Sequence, residues 1–119
     1  MSVLEQCLLL VALRDPDSAA LAYSMHLPFS SAEAAAESVL RMLALLHRHG
    51  RHPPRLSSDP GAEAVTSDET AILRLFGAMG SGDYGLAALL LQWLVRPDGQ
   101  AALGSAAARL ARTTPALAA

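Results

Sequence analysis

The chain contains no lysine; all nine of its basic residues are arginine. That excludes a Walker phosphate loop, which needs Gly-Lys-Ser/Thr, and it excludes Schiff-base chemistry on a lysine amine. Alanine is abundant, and together with the missing lysine this reads as the mark of a GC-rich bacterial genome rather than of a function. Cysteine is nearly absent. Cys7 is the single copy, so no intrachain disulfide can form, and a reducing, cytoplasmic setting is expected. The net charge is only −2, which argues against a general electrostatic grip on nucleic acid or on an anionic membrane. The longest unbroken apolar run covers residues 7–13, far short of the roughly 18–20 residues of a membrane span. Glu5 stands where a secretory signal would carry positive charge. No stretch alternates with period two, no motif recurs at a fixed spacing, and no Gly-x-Ser-x-Gly elbow occurs.

What is present is helical punctuation. A length of 119 residues suits one domain with a core of its own. Ser2 with Glu5, Ser30 with Glu33 and Thr66 with Glu69 each have the spacing of a capping box. Asp15 and Pro16 fit the cap and first position of a short helix ending near His26. A long helix should then run to His49 and close at Gly50. Residues 51–65, "RHPPRLSSDPGAEAV", carry Pro-Pro, Ser-Ser and Asp-Pro-Gly and are expected to form a mobile loop. Ile72, Leu75, Phe76 and Met79 recur at helical spacing. Leu86, Leu89, Leu90, Trp93 and Leu94 do so in the next segment, and Leu103, Ala106, Ala107 and Leu110 in the last. The sequence predicts an all-α fold, a compact bundle of five to six helices with no sheet. One domain should span residues 1–112, followed by a frayed tail at 113–119. The first and fifth helices are apolar on more than one face, which places each either in the middle of the bundle or at a partner interface. Trp93, Phe76 and Met79 read as core, and Cys7, set among leucines, as a buried inert thiol.

The segment "HRHGRH", residues 47–52, raises the question of a metal site at His47, His49 and His52. Zinc needs about four ligands in a tetrahedron, and a helix offers two on one face at i and i+4. His47 and His49 are two apart and point to nearly opposite sides, and Gly50 interrupts the helix before His52. The simpler account is a basic helix exit, where His47, Arg48 and His49 meet the negative end of the helix dipole. Arg48, Arg51 and Arg55 with the histidines then form a local positive patch able to meet an anion or an acidic partner.

"GSGDYG", residues 80–85, fits G-x-G-x-x-G, with Asp98 near the place of a ribose-binding acid. A dinucleotide fold needs a preceding strand and a βαβ unit, and helices flank this motif instead. Gly80 is expected to end one helix and Asp83 to begin the next. A helix-turn-helix reading fails because the second helix, "YGLAALLLQWLVR", lacks the polar and basic residues that read base edges. Glu33 and Glu37 share a helix face. They are better explained as a capping residue and a partner for Arg41 than as an acid/base pair. No catalytic residue and no cofactor is assigned. The expected function is that of a small soluble interaction or regulatory module, leaning away from an enzyme and able to self-associate or to bind a protein partner, with no role for nucleic acid or membrane. The alternatives are a small-molecule binder or enzyme with a pocket between helices, drawing on the 47–55 loop, Tyr23, Tyr84 or Gln92, and metal or anion binding at the patch.

Overall fold

The computed structural model describes residues 2–114. Six α-helices follow in order: α1 (Val3–Arg14), α2 (Ala19–Ser24), α3 (Phe29–His49), α4 (Ser67–Ser81), α5 (Tyr84–Leu94) and α6 (Pro97–Thr113). A 3-10 turn, Pro16–Ser18, leads into α2. No strand occurs among the described residues, and one antiparallel bridge joins Gly50 to Val95. The all-α bundle expected from the periodicity is the fold that forms. No helix among the described residues is long and apolar enough to cross a membrane.

Local chemistry explains where most helices start. The Ser2 hydroxyl accepts from the Glu5 amide while the Glu5 carboxylate accepts from the Ser2 amide. Thr66 and Glu69 repeat this reciprocal arrangement at α4. Asp83 caps α5 by accepting from the Leu86 amide at 3.2 Å. The box expected at Ser30 and Glu33 does not form. α3 begins earlier, at Phe29 directly behind Pro28, with no side-chain cap, because the fixed φ of proline already sets the entry angle. Asp15 likewise makes no side-chain cap. Its carbonyl accepts from the Ser18 amide, an i→i+3 closure that winds the chain more tightly than an α-helix. α2 stops at Ser24, and the amides of His26 and Leu27 both donate to the Tyr23 carbonyl. α4 runs past Gly80, the expected terminus, to Ser81. Gly82 then takes the left-handed conformation, φ 79, which glycine adopts without steric cost. At the other end of the chain α6 extends to Thr113, and the Thr114 hydroxyl donates to the Leu110 carbonyl. Helix thus reaches into the segment expected to fray, the remainder of which, 115–119, lies outside the described residues.

The core is centred on α3 and α6. α3 turns Ala32, Ala35, Ala36, Val39, Met42 and Leu46 inward, and α6 answers with Gly99, Leu103, Ala106, Ala107 and Leu110. The small residues let the two helices come close. At Gly99 the approach is so near that a Cβ would overlap the Cβ of His49. α1 adds Leu8, Leu9, Ala12 and Leu13, and α4 adds Ile72, Leu75 and Phe76. Two expectations about burial fail. Cys7 is exposed, because α1 turns its Leu8, Leu9 and Leu13 side inward and leaves the opposite side to solvent. Trp93 is 47% exposed, because α5 packs only Ala87 and Leu94 fully and lies at the edge of the bundle.

Segment 51–65 has no helix, yet it is held by hydrogen bonds along its length. Arg14, at the end of α1, pairs with Glu69 at 2.7 Å and also donates to the carbonyls of Pro60, Ala62 and Ala64. Glu69 accepts in turn from the amides of Ser57 and Thr66. Both side chains are almost wholly buried, at 2% and 0% exposed. Burial by itself would push the Glu69 carboxyl up. The hydrogen bonds from Arg14, Thr66 and Ser57, with the charge of Arg14, outweigh it and hold the carboxyl at about 2.

Two outcomes follow from this packing. Gly99→Ala should cost about 1–3 kcal/mol in urea unfolding, since backbone must shift to admit the methyl group. For Glu69, ionisation is easier in the folded chain than at its ordinary value of 4.5. Its contribution, on the order of 3 kcal/mol, is therefore full above that value and disappears as the pH falls toward about 2. Unfolding followed across this window should lose that slope in Glu69→Gln. A slope unchanged by the substitution would mean that Glu69 is not the titrating group.

Candidate functional site

The histidine-arginine segment leaves α3, crosses the end of α5 and reaches the start of α4. Two of its neighbours bind each other's helix ends. Arg51, just after α3, donates through Nε to the Gln92 carbonyl near the end of α5, at 2.6 Å. Arg96, just after α5, donates to the Arg48 and Gly50 carbonyls at the end of α3, at 2.9 and 3.0 Å. Each arginine thus neutralises the carbonyl terminus of the other helix, where the dipole is negative and the carbonyls lack partners of their own. Backbone bonds between Arg51 and Leu94 and between Arg96 and His49 reinforce the crossing. Gly50 is required here, because a Cβ would collide with the Leu46 carbonyl oxygen.

The three histidines are not brought together. His47 is exposed, as is the neighbouring Arg48. His49 packs over Gly99, with Nδ1 buried 3.4 Å from Asp98 Oδ2 but without hydrogen-bond geometry. His52 turns toward α4, where its Nε2 lies 3.1 Å from Asp68 Oδ1 and its ring stands edge-on to Trp93. Asp68 also accepts from the Arg55 amide at 2.6 Å, while the Arg55 side chain is exposed. Among the described residues, no group of three or more His, Cys, Asp and Glu is placed to hold a metal ion. The residues proposed from the sequence as an anion patch, Arg48, Arg51 and Arg55, do lie along one segment, but Arg51 is engaged with a helix end. The sequence reading overlooked Arg96. Its position directly after an apolar helix and before Pro97 was the available signal.

The glycine motif forms the turn between α4 and α5. The two helices enclose a groove of about 440 Å³ lined by Ser67, Thr70, Ala71, Arg74, Leu89, Leu90 and Trp93. One wall, from α4, is polar and carries the exposed Arg74. The other, from α5, is apolar and carries no charge along the whole helix. The groove opens onto the outer face of α5, where Leu89 is 64% exposed, with Leu86 beside it. The sequence leaves this helix open between the middle of the bundle and a partner interface, reads Trp93 as core, and gives no sign of Ser67, Thr70 and Arg74. The surplus apolar character of the fifth helix was the signal for the exposed face. Of the other polar groups considered for a pocket, Tyr23 is buried in the core and Gln92 is exposed. A second, polar groove of about 320 Å³ lies between α3 and α6, lined by Glu37, Ser38, Arg41, Ala106 and Arg109. Glu37 pairs there with Arg109 at 3.8 Å rather than with the expected Arg41, because α6 lies alongside that face of α3.

No family model matches the chain, and no curated protein and no solved structure matches it either.

The two arginine roles separate by mutation. Arg96→Ala should lower stability by about 0.5–1.5 kcal/mol, through the loss of two hydrogen bonds to carbonyls at a helix end. Arg48→Ala, whose side chain has no such partner, should change it by less than about 0.5 kcal/mol. Equal effects in thermal unfolding would contradict the assignment.

Proposed function

We propose that the protein is a small non-enzymatic interaction module that docks a helical segment of a partner protein on the outer face of α5 and in the adjoining α4/α5 groove. The observation that carries this reading is the exposure of an uncharged apolar helix. Leu86, Leu89, Leu90 and Trp93 recur at i, i+3, i+4 and i+7, the spacing by which one helix lies against another. Interface centres are depleted in charge and enriched in tryptophan, and Trp93 lies on this face. The strip is about 16 Å long for an 11-residue helix, so the contact suits a weak or transient complex better than an obligate one. A cytoplasmic location accords with the single free cysteine.

A small-molecule reading has one observation in its favour, a volume of about 440 Å³, within the range of ligand pockets. The groove is continuous with the exposed face of α5, however, and a bound helix would cover both.

Trp93 is the chain's only tryptophan, so its emission reports on the groove directly. A tryptophan-free amphipathic peptide, with leucines at i, i+3, i+4 and i+7 and glutamine elsewhere, should shift that emission to the blue with saturation. Leu89→Asp should abolish the response without lowering the melting temperature, because Leu89 faces solvent. A wild-type protein that gives no saturable response would contradict the proposal.

A further inference from the structure

Arg74 decides which kind of helix the groove takes. It lies in the groove wall opposite Leu89 and Leu90, is exposed, and makes no ion pair among the described residues. The nearby acids of its own helix are both occupied. Asp68 holds His52 and the Arg55 amide, and Glu69 holds Arg14 and two amides. A helix laid over Leu89, Leu90 and Trp93 would remove water from one side of the guanidinium. An uncharged partner leaves that charge without compensation, which disfavours binding. A carboxylate beside the apolar stripe of the partner would meet it, and a planar guanidinium can engage a carboxylate through two N–H groups.

The same reasoning ranks a second copy of the chain lower. If two copies paired α5 against α5, the helix arriving over Arg74 would carry no charged residue from Tyr84 to Leu94. The groove would then close over an unmatched cation. A fatty carboxylate would supply the acid, but the open apolar face of α5 beyond the groove would remain uncovered.

We infer that the α4/α5 groove takes an acidic amphipathic helix from another protein, with a glutamate or aspartate flanking its apolar stripe set against Arg74. This rests on the docking role proposed above and adds the chemistry of the partner. Ser67, on the same wall, offers a hydroxyl to the second carboxylate oxygen, whereas the Thr70 hydroxyl already donates to the Thr66 carbonyl.

The test uses three synthetic peptides of about 14 residues, long enough for a few helical turns. They share the leucine stripe and differ only in the flanking positions, which are glutamate, glutamine or lysine. Affinity is read from Trp93 emission, and the oligomeric state from sedimentation velocity over a range of concentrations. The glutamate peptide should bind about three- to fivefold more tightly than the glutamine peptide, as for a partly exposed ion pair, and the lysine peptide more weakly than both. Arg74→Gln should erase the difference between glutamate and glutamine while leaving the affinity of the glutamine peptide within about twofold. Added salt should narrow the same difference. Equal binding of glutamate and glutamine peptides to the wild type overturns the acidic partner and leaves the apolar docking surface standing. A dimer dispersed by Leu89→Asp makes the occupant a second copy, which also overturns the inference. Binding of none of the three peptides to a monomeric protein overturns the inference and the docking role together.

Discussion

The buried pair of Arg14 and Glu69 ties together parts of the chain that no helix connects. Taking both charges out of water is costly unless every donor and acceptor finds a partner. Here the partners come from three parts of the chain: the end of α1, the cap of α4, and the long connection between α3 and α4, which gives the amide of Ser57 and three carbonyls. Because Glu69 also closes the capping box of α4, the start of that helix, the path of the loop and the position of α1 are one arrangement. Breaking it from either side would leave a charge stranded in the interior.

What that arrangement positions is the α4/α5 hairpin. With the start of α4 fixed, its apolar residues Ile72, Leu75 and Phe76 face the core and Ser67, Thr70 and Arg74 face outward. α5 then returns along α4, held at its far end by the mutual contacts of Arg51 and Arg96. Among the described residues nothing covers its outer side. An eleven-residue helix with this many leucines would gain by burial within the bundle, yet only Ala87 and Leu94 are fully inside. That exposed face is where we place the proposed docking of a partner helix.

Features that depend on residues close in sequence were legible. The boxes at Ser2 with Glu5 and at Thr66 with Glu69, the cap at Asp83, and the glycine-rich turn all involve partners within a few positions. The box at Ser30 with Glu33 failed for an equally local reason, since Pro28 had already set the entry to α3. Features that depend on distant partners were not legible. Arg14 and Glu69 are 55 positions apart, and no spacing rule links them. The direction of α5 was hidden for a different reason. A helix apolar on most sides has no polar face to mark the outside, so the sequence does not decide between core and interface for the stripe containing Leu89, and it reads Trp93 as core. Arg74 gained meaning only when α5 was seen to lie beside it. The histidines are dispersed by partners far apart in sequence, His49 packing against α6 and His52 against α4.

The account depends most on the outer face of α5 being open in the free protein. Acrylamide quenching of Trp93 across a dilution series addresses that directly. The account predicts a readily quenched tryptophan, with emission characteristic of partial contact with water, and accessibility that does not change on dilution. A blue-shifted, poorly quenched tryptophan at every dilution would mean that the groove is filled by the chain itself and would contradict the account.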